Sequence, residues 1–394
     1  MTRGTDVTDM KRTYRTVNEG VFPENLTLAL EREAPLRYGE NPNQSGAIYH
    51  FKLPEGSINL AELTNIRMAK SGKGGLSATN FMDVTRALEI LKFFPNQAVA
   101  VMKHLVPSGF STAEKKSLDQ VYRNARDADA RSAFGSVVVF NRPVDMVTAG
   151  EIMETYVEGV AAPEFEQGAM GVLERKKDLR AILYSNLDRI PKFIGDDTHG
   201  VYDIKALPTG RILVQQPYLS SIRSVEDLVL DPLVTTPEGR TSVVERDPTA
   251  KELEDLLTAW YVNLGVRSNG IVIVKKGTTI AIGSGQQERV GAVEQALTKA
   301  CQKTLDRRGV KYDAMEASVT GLLKMMKGED PLFDAVISSD GFFPFRDSVD
   351  LIASFDISAI IQPGGSVKDA EVIEAVNEHD MAMALTRERC FGHF

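Results

Sequence analysis

Apolar positions along the chain follow two rhythms that alternate. In FMDVTRALEILKFF (81–94) they recur at helical spacing, which predicts an amphipathic helix. AVAVM (98–102) is a short unbroken apolar run and predicts a buried strand, with LVPSG after it as a loop. A helix over 113–128 follows, then a strand, SVVVF (136–140), ending at Asn141-Arg142-Pro143. The second half repeats the alternation. A helix over 249–264 leads to strands in GIVIVKKG (270–277) and TIAIGSG (279–285), then to a helix over 290–304. DAVISSD (334–340) and SAIIQPGGS (358–366) read as strands, and DAEVIEAVNEH (369–379) as a helix. Strands alternating with helices specify α/β layers.

Residues 1–35 are mostly polar and predict an extension ahead of the first unit. The stretch 225–251, rich in charge, Pro and Thr, marks a boundary that divides the rest into units 36–225 and 226–394. No clean internal repeat is visible between them.

Composition narrows the function. Apolar residues at 43% and charged residues at 25% suit a globular chain. A net charge of −8 argues against nucleic-acid binding, although a few convergent Arg and Lys still build a local anion pocket. The two cysteines, Cys301 and Cys390, offer neither a disulfide framework nor a zinc site. The polar N-terminus has no signal-peptide core and no apolar run is long enough to span a bilayer, so a cytoplasmic, membrane-free protein is expected.

Four places carry candidate chemistry. Lys103-His104 opens KHLVPSG, and adjacent strand residues reach one pocket only where the strand ends or turns. The neighbouring ammonium favours the neutral imidazole that a general base needs. The pair reads equally as a surface Lys beside a capping His. Arg289, in GSGQQERV, lies where a Gly-rich turn enters a helix, a place suited to anions or simply a tight turn. GGS at 364–366 opens a helix in the same way. FFPFRD (342–347) offers either a slot for a flat heterocycle or a loop plug with a structural Arg-Asp pair. Zinc-deaminase, P-loop and H-E-x-x-H signatures are absent from the sequence.

Together these segments resemble the transformylase half of the bifunctional purine-biosynthesis family that pairs formyl transfer to aminoimidazole carboxamide ribonucleotide (AICAR) with inosine monophosphate (IMP) cyclohydrolase. RYGENPNQ (37–44), KHLVPSG (103–109), SAFG (132–135), SNGIVIVKKG (268–277), IAIGSGQQERV (280–290), SSDGFFPFRD (338–347), QPGGS (362–366) and the tail RERCFGHF run in family order over 36–394. The resemblance implies a duplicated, three-layer α/β fold of the cytidine-deaminase-like kind, and a homodimer with sites at or near the subunit interface. It implies Lys103, His104 and Asn269 as catalytic residues. Arg37, Tyr38, Asn80, Gly135, Glu158, Arg289, Arg389 and His393 would bind the ribonucleotide, and Phe342 and Asp347 the folate. The family often has Asp where Glu158 stands, and the tail carries an extra Phe394. The implied co-substrate is 10-formyltetrahydrofolate, with a monovalent cation such as potassium left open. Only 36 residues precede Arg37, so cyclohydrolase activity is expected to be absent and ring closure to need a separate protein. Two other readings are a catalytically dead ribonucleotide sensor and a formate- and ATP-dependent formylating ligase. Retention of Lys103, His104, Asn269 and Arg289 weighs against the sensor.

Overall fold

The computed structural model describes residues 4–10, 22–72, 74–312, 319–325 and 331–394. Among them, eleven strands form one mixed sheet. In chain order these are β1 (Arg67–Lys70), β2 (Gln97–Lys103), β3 (Val106–Ala113), β4 (Ser136–Phe140), β5 (Val157–Ala162) and β6 (Arg180–Leu183), then β7 (Ile271–Lys275), β8 (Thr278–Gly283), β9 (Val336–Ser339), β10 (Ala359–Gln362) and β11 (Ala382–Leu385). Across the sheet they run β11-β10-β9-β7-β8-β3-β2-β4-β5-β6-β1. The helices on its faces include α1 (Ala78–Leu91), α2 (Leu118–Ala128), α3 (Met146–Met153), α4 (Ala250–Asn263), α5 (Arg289–Arg307), α6 (Asp347–Ala353) and α7 (Asp369–Glu378).

This order contains one pattern twice. β2 and β3 form a hairpin, β4 lies antiparallel on the other side of β2, and β5 and β6 continue in parallel. β7 and β8 form the matching hairpin, with β9 antiparallel to β7 and then β10 and β11 in parallel. The two five-stranded patterns meet edge to edge, β3 against β8 with Ser111 opposite Thr278. The duplicated α/β class is therefore present as topology.

Both faces of the sheet are covered, which is why its strands read as unbroken apolar runs rather than alternating ones. Ala98, Ala100 and Met102 of β2 and Val272 and Val274 of β7 share a core with Leu88 of α1 and Trp260 of α4. Val99 and Val101 point the opposite way, into a core under α2 and α3. Ile271 and Ile273 point into a third core, under α5, α6 and α7. Phe93, just past α1, stacks on Tyr261 of α4 with centroids 4.6 Å apart, and Phe94 packs on Phe110 at 4.5 Å. Such pairs add about 0.5–1.5 kcal/mol each beyond the area they bury. The Phe93–Tyr261 pair ties the two halves together on the α1/α4 face.

Two expectations change. LVPSG is not a loop: the chain turns at His104-Leu105, and Val106 already opens β3. Its Val and Pro sit at the start of a strand, where Pro107 and Gly109, on either side of Ser108, read as loop residues. The helix placed at 113–128 begins only at Leu118, after the Ser117 N-cap position. Near the N-terminus, Thr5–Asp6 pairs in parallel with Pro232–Leu233, so this polar segment adds a strand to the second half.

Close helix–sheet approach depends on a matched pair of glycines. A Cβ on Gly109 of β3 would lie 1.9 Å from the Ala125 carbonyl oxygen of α2, and one on Gly283 of β8 would lie 2.2 Å from that of Ala292 in α5. We predict that Gly109→Ala and Gly283→Ala each destabilise the fold by about 1–3 kcal/mol through overpacking. Gly150→Ala, in α3 with open space around the new methyl, should instead stabilise by about 0.5–1 kcal/mol. Urea unfolding of the three variants checks the contrast, and equal effects at all three would contradict it.

Candidate active site

The site grows from the turn between β2 and β3. Lys103 ends β2 and pairs with Val106, leaving a two-residue connection, His104 (φ +56°) and Leu105 (φ +69°). Both central residues are left-handed, the type I′ geometry whose twist suits a hairpin and which usually takes Asn and Gly. For His and Leu that conformation costs about 1–2 kcal/mol per residue, so something must hold it. Asp83 of α1, buried at 3% exposure, accepts the Leu105 N–H at 2.7 Å. Burial pushes its carboxyl up; the Leu105 N–H opposes this and the charge of Glu158 adds to it, leaving it at about 7.

The turn also directs the two basic side chains. Lys103 Nζ donates to the Phe134 carbonyl at 2.6 Å. Gly135 follows with φ +74°, and its N–H donates to the Tyr156 carbonyl at 2.8 Å. The His104 ring is exposed, at the mouth of a cavity of about 240 Å³ that Lys103, Ser108, Asp129, Lys299 and Lys303 also line. Lys303 pairs with Asp129 at 2.6 Å, and burial lowers the Lys299 ammonium.

Other expected residues gather around this turn. Asn80, one helical turn before Asp83 on α1, donates to Glu158 at 2.9 Å. The Arg37 N–H donates to the Leu76 carbonyl at 3.2 Å, and the Ala78 N–H to that of Tyr38 at 3.3 Å. The RYG segment is thereby stitched to the loop that starts α1, with the Arg37 guanidinium over the Tyr38 ring. Arg180, buried in β6, donates to the Gly75 carbonyl at 2.6 Å and the Glu158 carbonyl at 3.4 Å. Arg37, Tyr38, Asn80, Lys103, His104, Gly135 and Glu158 thus form one connected group.

A second group assembles separately. Asn269 donates to the Gln286 carbonyl at 2.8 Å and the Gln287 carbonyl at 3.1 Å. Arg289, which begins α5, is buried in an ion pair with the fully buried Asp340. Asp340 also accepts the Ser268 hydroxyl, and its carbonyl accepts the Cys390 N–H at 3.1 Å. A Cβ on Gly341 would meet Arg289 Nη2 at 2.6 Å and the Phe391 ring at 2.7 Å. Arg389 is exposed with its guanidinium over Phe391, and exposed His393 packs edge-on to that ring. In FFPFRD, Phe343 is fully buried, Phe342 half-buried and Phe345 exposed. Arg346 pairs with Asp350 and Glu378 rather than with its neighbour Asp347, which sits exposed at the start of α6. The expected Arg-Asp pair is therefore not formed between adjacent residues, whose side chains diverge at the helix start.

The two groups lie at the same end of the sheet. β3 and β8 are antiparallel, with Ser111 opposite Thr278, so Val106 and Gly283 lie toward the same end, and Gly283 pairs with Ile271 beside Asn269. β2 and β7 are three strand steps apart, about 14 Å at the usual strand spacing. Sequence reasoning missed Asp83, Arg180, Ser268 and Asp340. Asp83 had a signal, since Asn80 and Asp83 share a helix face. Arg180 had none.

Fold and site together define a duplicated α/β protein in which one repeat carries a Lys-His turn at the sheet end. Residues 7–299 match the family model described as the AICARFT/IMPCHase bienzyme, and the chain belongs to that family. Three similar relatives are each a "Bifunctional purine biosynthesis protein PurH". That of Magnetococcus marinus is 39% identical over 375 residues, which is 95% of this chain and 62% of the relative. Those of Persephonella marina and Aquifex aeolicus are each 36% identical over 373 residues, 94% of this chain and 62% of the relative. The chain spans about three fifths of the length of these relatives. No helix among the described residues is long and apolar enough to cross a membrane.

The raised Asp83 carboxyl yields a signed prediction. Its folded value of about 7 lies above its ordinary 3.8, so ionising it costs stability. The wild type should therefore lose stability relative to Asp83→Asn as pH rises from about 4 to about 7, and no further above that. Denaturant unfolding of both proteins at pH 5 and pH 8 measures this. A stability difference independent of pH would contradict the burial argument.

Proposed function

We propose that this chain transfers the formyl group of 10-formyltetrahydrofolate to the 5-amino group of AICAR, giving the 5-formamido product in purine (IMP) biosynthesis. The observation that carries the reading is the left-handed turn that sets Lys103 and His104 side by side at the sheet end, next to the Asn80–Glu158 pair. The substrate amine is a weak nucleophile because its lone pair is delocalised into the ring and carboxamide. His104 takes the amine proton as the nitrogen attacks the formyl carbon. Lys103 supplies positive charge or a proton as the C–N10 bond breaks and the folate nitrogen leaves. Acid–base help of this kind is worth about 10²–10⁴ in rate, with positioning and electrostatics supplying the rest.

Arg37, Tyr38, Asn80, Gly135 and Glu158 are assigned to the ribonucleotide, Phe342 and Asp347 to the folate. Arg289 acts on the ribonucleotide from its pair with Asp340, while Arg389 and His393 approach it from the tail. Asn269 orients amine and formyl group. Three strand steps separate it from His104 within one chain, which supports a homodimer in which the unit 226–394 of one copy completes the site on the unit 36–225 of the other. We assign formyl transfer to these 394 residues.

Purified protein given AICAR and 10-formyltetrahydrofolate should accumulate the formamido product. His104→Ala and Lys103→Leu should each lower kcat by about 10²–10⁴ while ribonucleotide affinity changes far less. Single-turnover kinetics beside calorimetric titration reads both. Near-normal turnover in His104→Ala, or loss of binding as large as the loss of rate, would defeat the base assignment.

A further inference from the structure

The second repeat contains a plain copy of the active-site turn. α1 and α4 have the same length, and Asp83 and Asp255 occupy the same position in them. Ser77 caps α1 through the Asn80 N–H, and Thr249 caps α4 through the Glu252 N–H. Lys103 donates to the Phe134 carbonyl, and Lys275, ending β7, donates to that of Phe333. Lys276 (φ +53°) and Gly277 (φ +71°) form the matching left-handed turn, at the opposite end of the sheet.

The copies differ in how the turn is tied. Asp255 accepts two backbone N–H groups, Lys276 and Gly277, each at 2.7 Å and one on each carboxylate oxygen. Asp83 accepts only Leu105; among the described residues, its second oxygen accepts no hydrogen bond. The singly tied turn is also the more strained, because it holds Leu105 where the copy has Gly277. The second turn can keep its shape through glycine and two bonds. The first depends on one.

We propose that Asp83 is a positioning residue for formyl transfer, holding the His104–Leu105 turn left-handed so that the His104 imidazole and Lys103 ammonium meet the same substrate. This rests on the reading of Lys103 and His104 as the reacting pair. Asp83 lies beneath the turn and acts on the chemistry through Leu105, with no contact to reacting atoms required. Its acceptor oxygen matters more than its charge, since a protonated carboxyl or an amide also accepts from Leu105. Asp255 provides the control. Loss of its bonds should loosen an equivalent turn that carries no reacting group.

The test compares Asp83→Ala, Asp83→Asn and Asp255→Ala as full chains. Asp83→Ala should lower kcat by about 30-fold or more with the ribonucleotide KM nearly unchanged, because displacements near 1 Å cost about 10²-fold. Asp83→Asn should recover most of that loss, and Asp255→Ala should keep kcat within about twofold. Amide exchange at Leu105 should accelerate in Asp83→Ala but not in Asp83→Asn. The proposal is overturned if Asp83→Ala keeps its kcat, if Asp255→Ala loses as much, or if Asp83→Asn is as slow as Asp83→Ala. Absence of turnover in the wild type would defeat the functional reading instead, and Leu105 exchange would then judge the turn by itself.

Discussion

A single hydrogen bond, from the Leu105 N–H to the buried Asp83 carboxyl, is the constraint on which the site's geometry depends. Two non-glycine residues in the left-handed region cost about 2–4 kcal/mol together. The hydrogen bond returns about 0.5–1.5 kcal/mol with Asp83 neutral and about 1.5–3 kcal/mol with it ionised, and the β2–β3 ladder has to supply the remainder. The balance is close. A turn held by so narrow a margin keeps one shape only while every contributor is present, and that shape decides where the His104 ring points. Lys103 would otherwise alternate to the opposite face from its neighbour, as strand residues do.

The duplication separates framework from chemistry. Features found in both repeats, such as the helix cap, the Lys-to-carbonyl bond, the carboxylate under the turn and the glycine beneath the crossing helix, are what either half needs to fold. Differences mark what the first half alone does. His104 stands where the copy has Lys276, Asn80 where it has Glu252, and Gly135 where it has Asp334. Glu252 is drawn well below the usual carboxylate range: burial raises it, but its hydrogen bonds to Arg246 and Ser358 outweigh that. In the first repeat, Asn80 instead donates to Glu158 beside the turn. The same backbone thus carries the candidate site in one place and the Arg246–Glu252 ion pair in the other.

Much of this was legible in the sequence, for physical reasons. The strands AVAVM, SVVVF and IVIVK stood out because a sheet covered on both faces demands unbroken apolar runs. Helix α1 announced itself by its period. The repeat was hard to see because its identical residues, such as Asp83 and Asp255 or Lys103 and Lys275, are scattered among positions where different residues do the same work, as Ser77 and Thr249 do. KHLVPSG misled for a related reason. Pro and Gly signal loops on average, yet here Pro107 sits in a strand and the turn falls on His104 and Leu105, residues with no turn preference. The Arg289–Asp340 pair could not be read from local spacing, since it joins the start of α5 to the end of β9 across the fold. Asp83 was within reach, three positions after Asn80 on a helix whose face was already suspected.

The central claim is that the reaction takes place at the His104 turn and not at its copy. A crystal structure of the protein with AICAR bound tests that most directly. The account predicts the aminoimidazole ring within hydrogen-bond reach of His104, beside Asn80 and Glu158. Nucleotide seated instead at the opposite end of the sheet, in the cavity of about 560 Å³ lined by Lys275, Lys276 and Glu252, would contradict it.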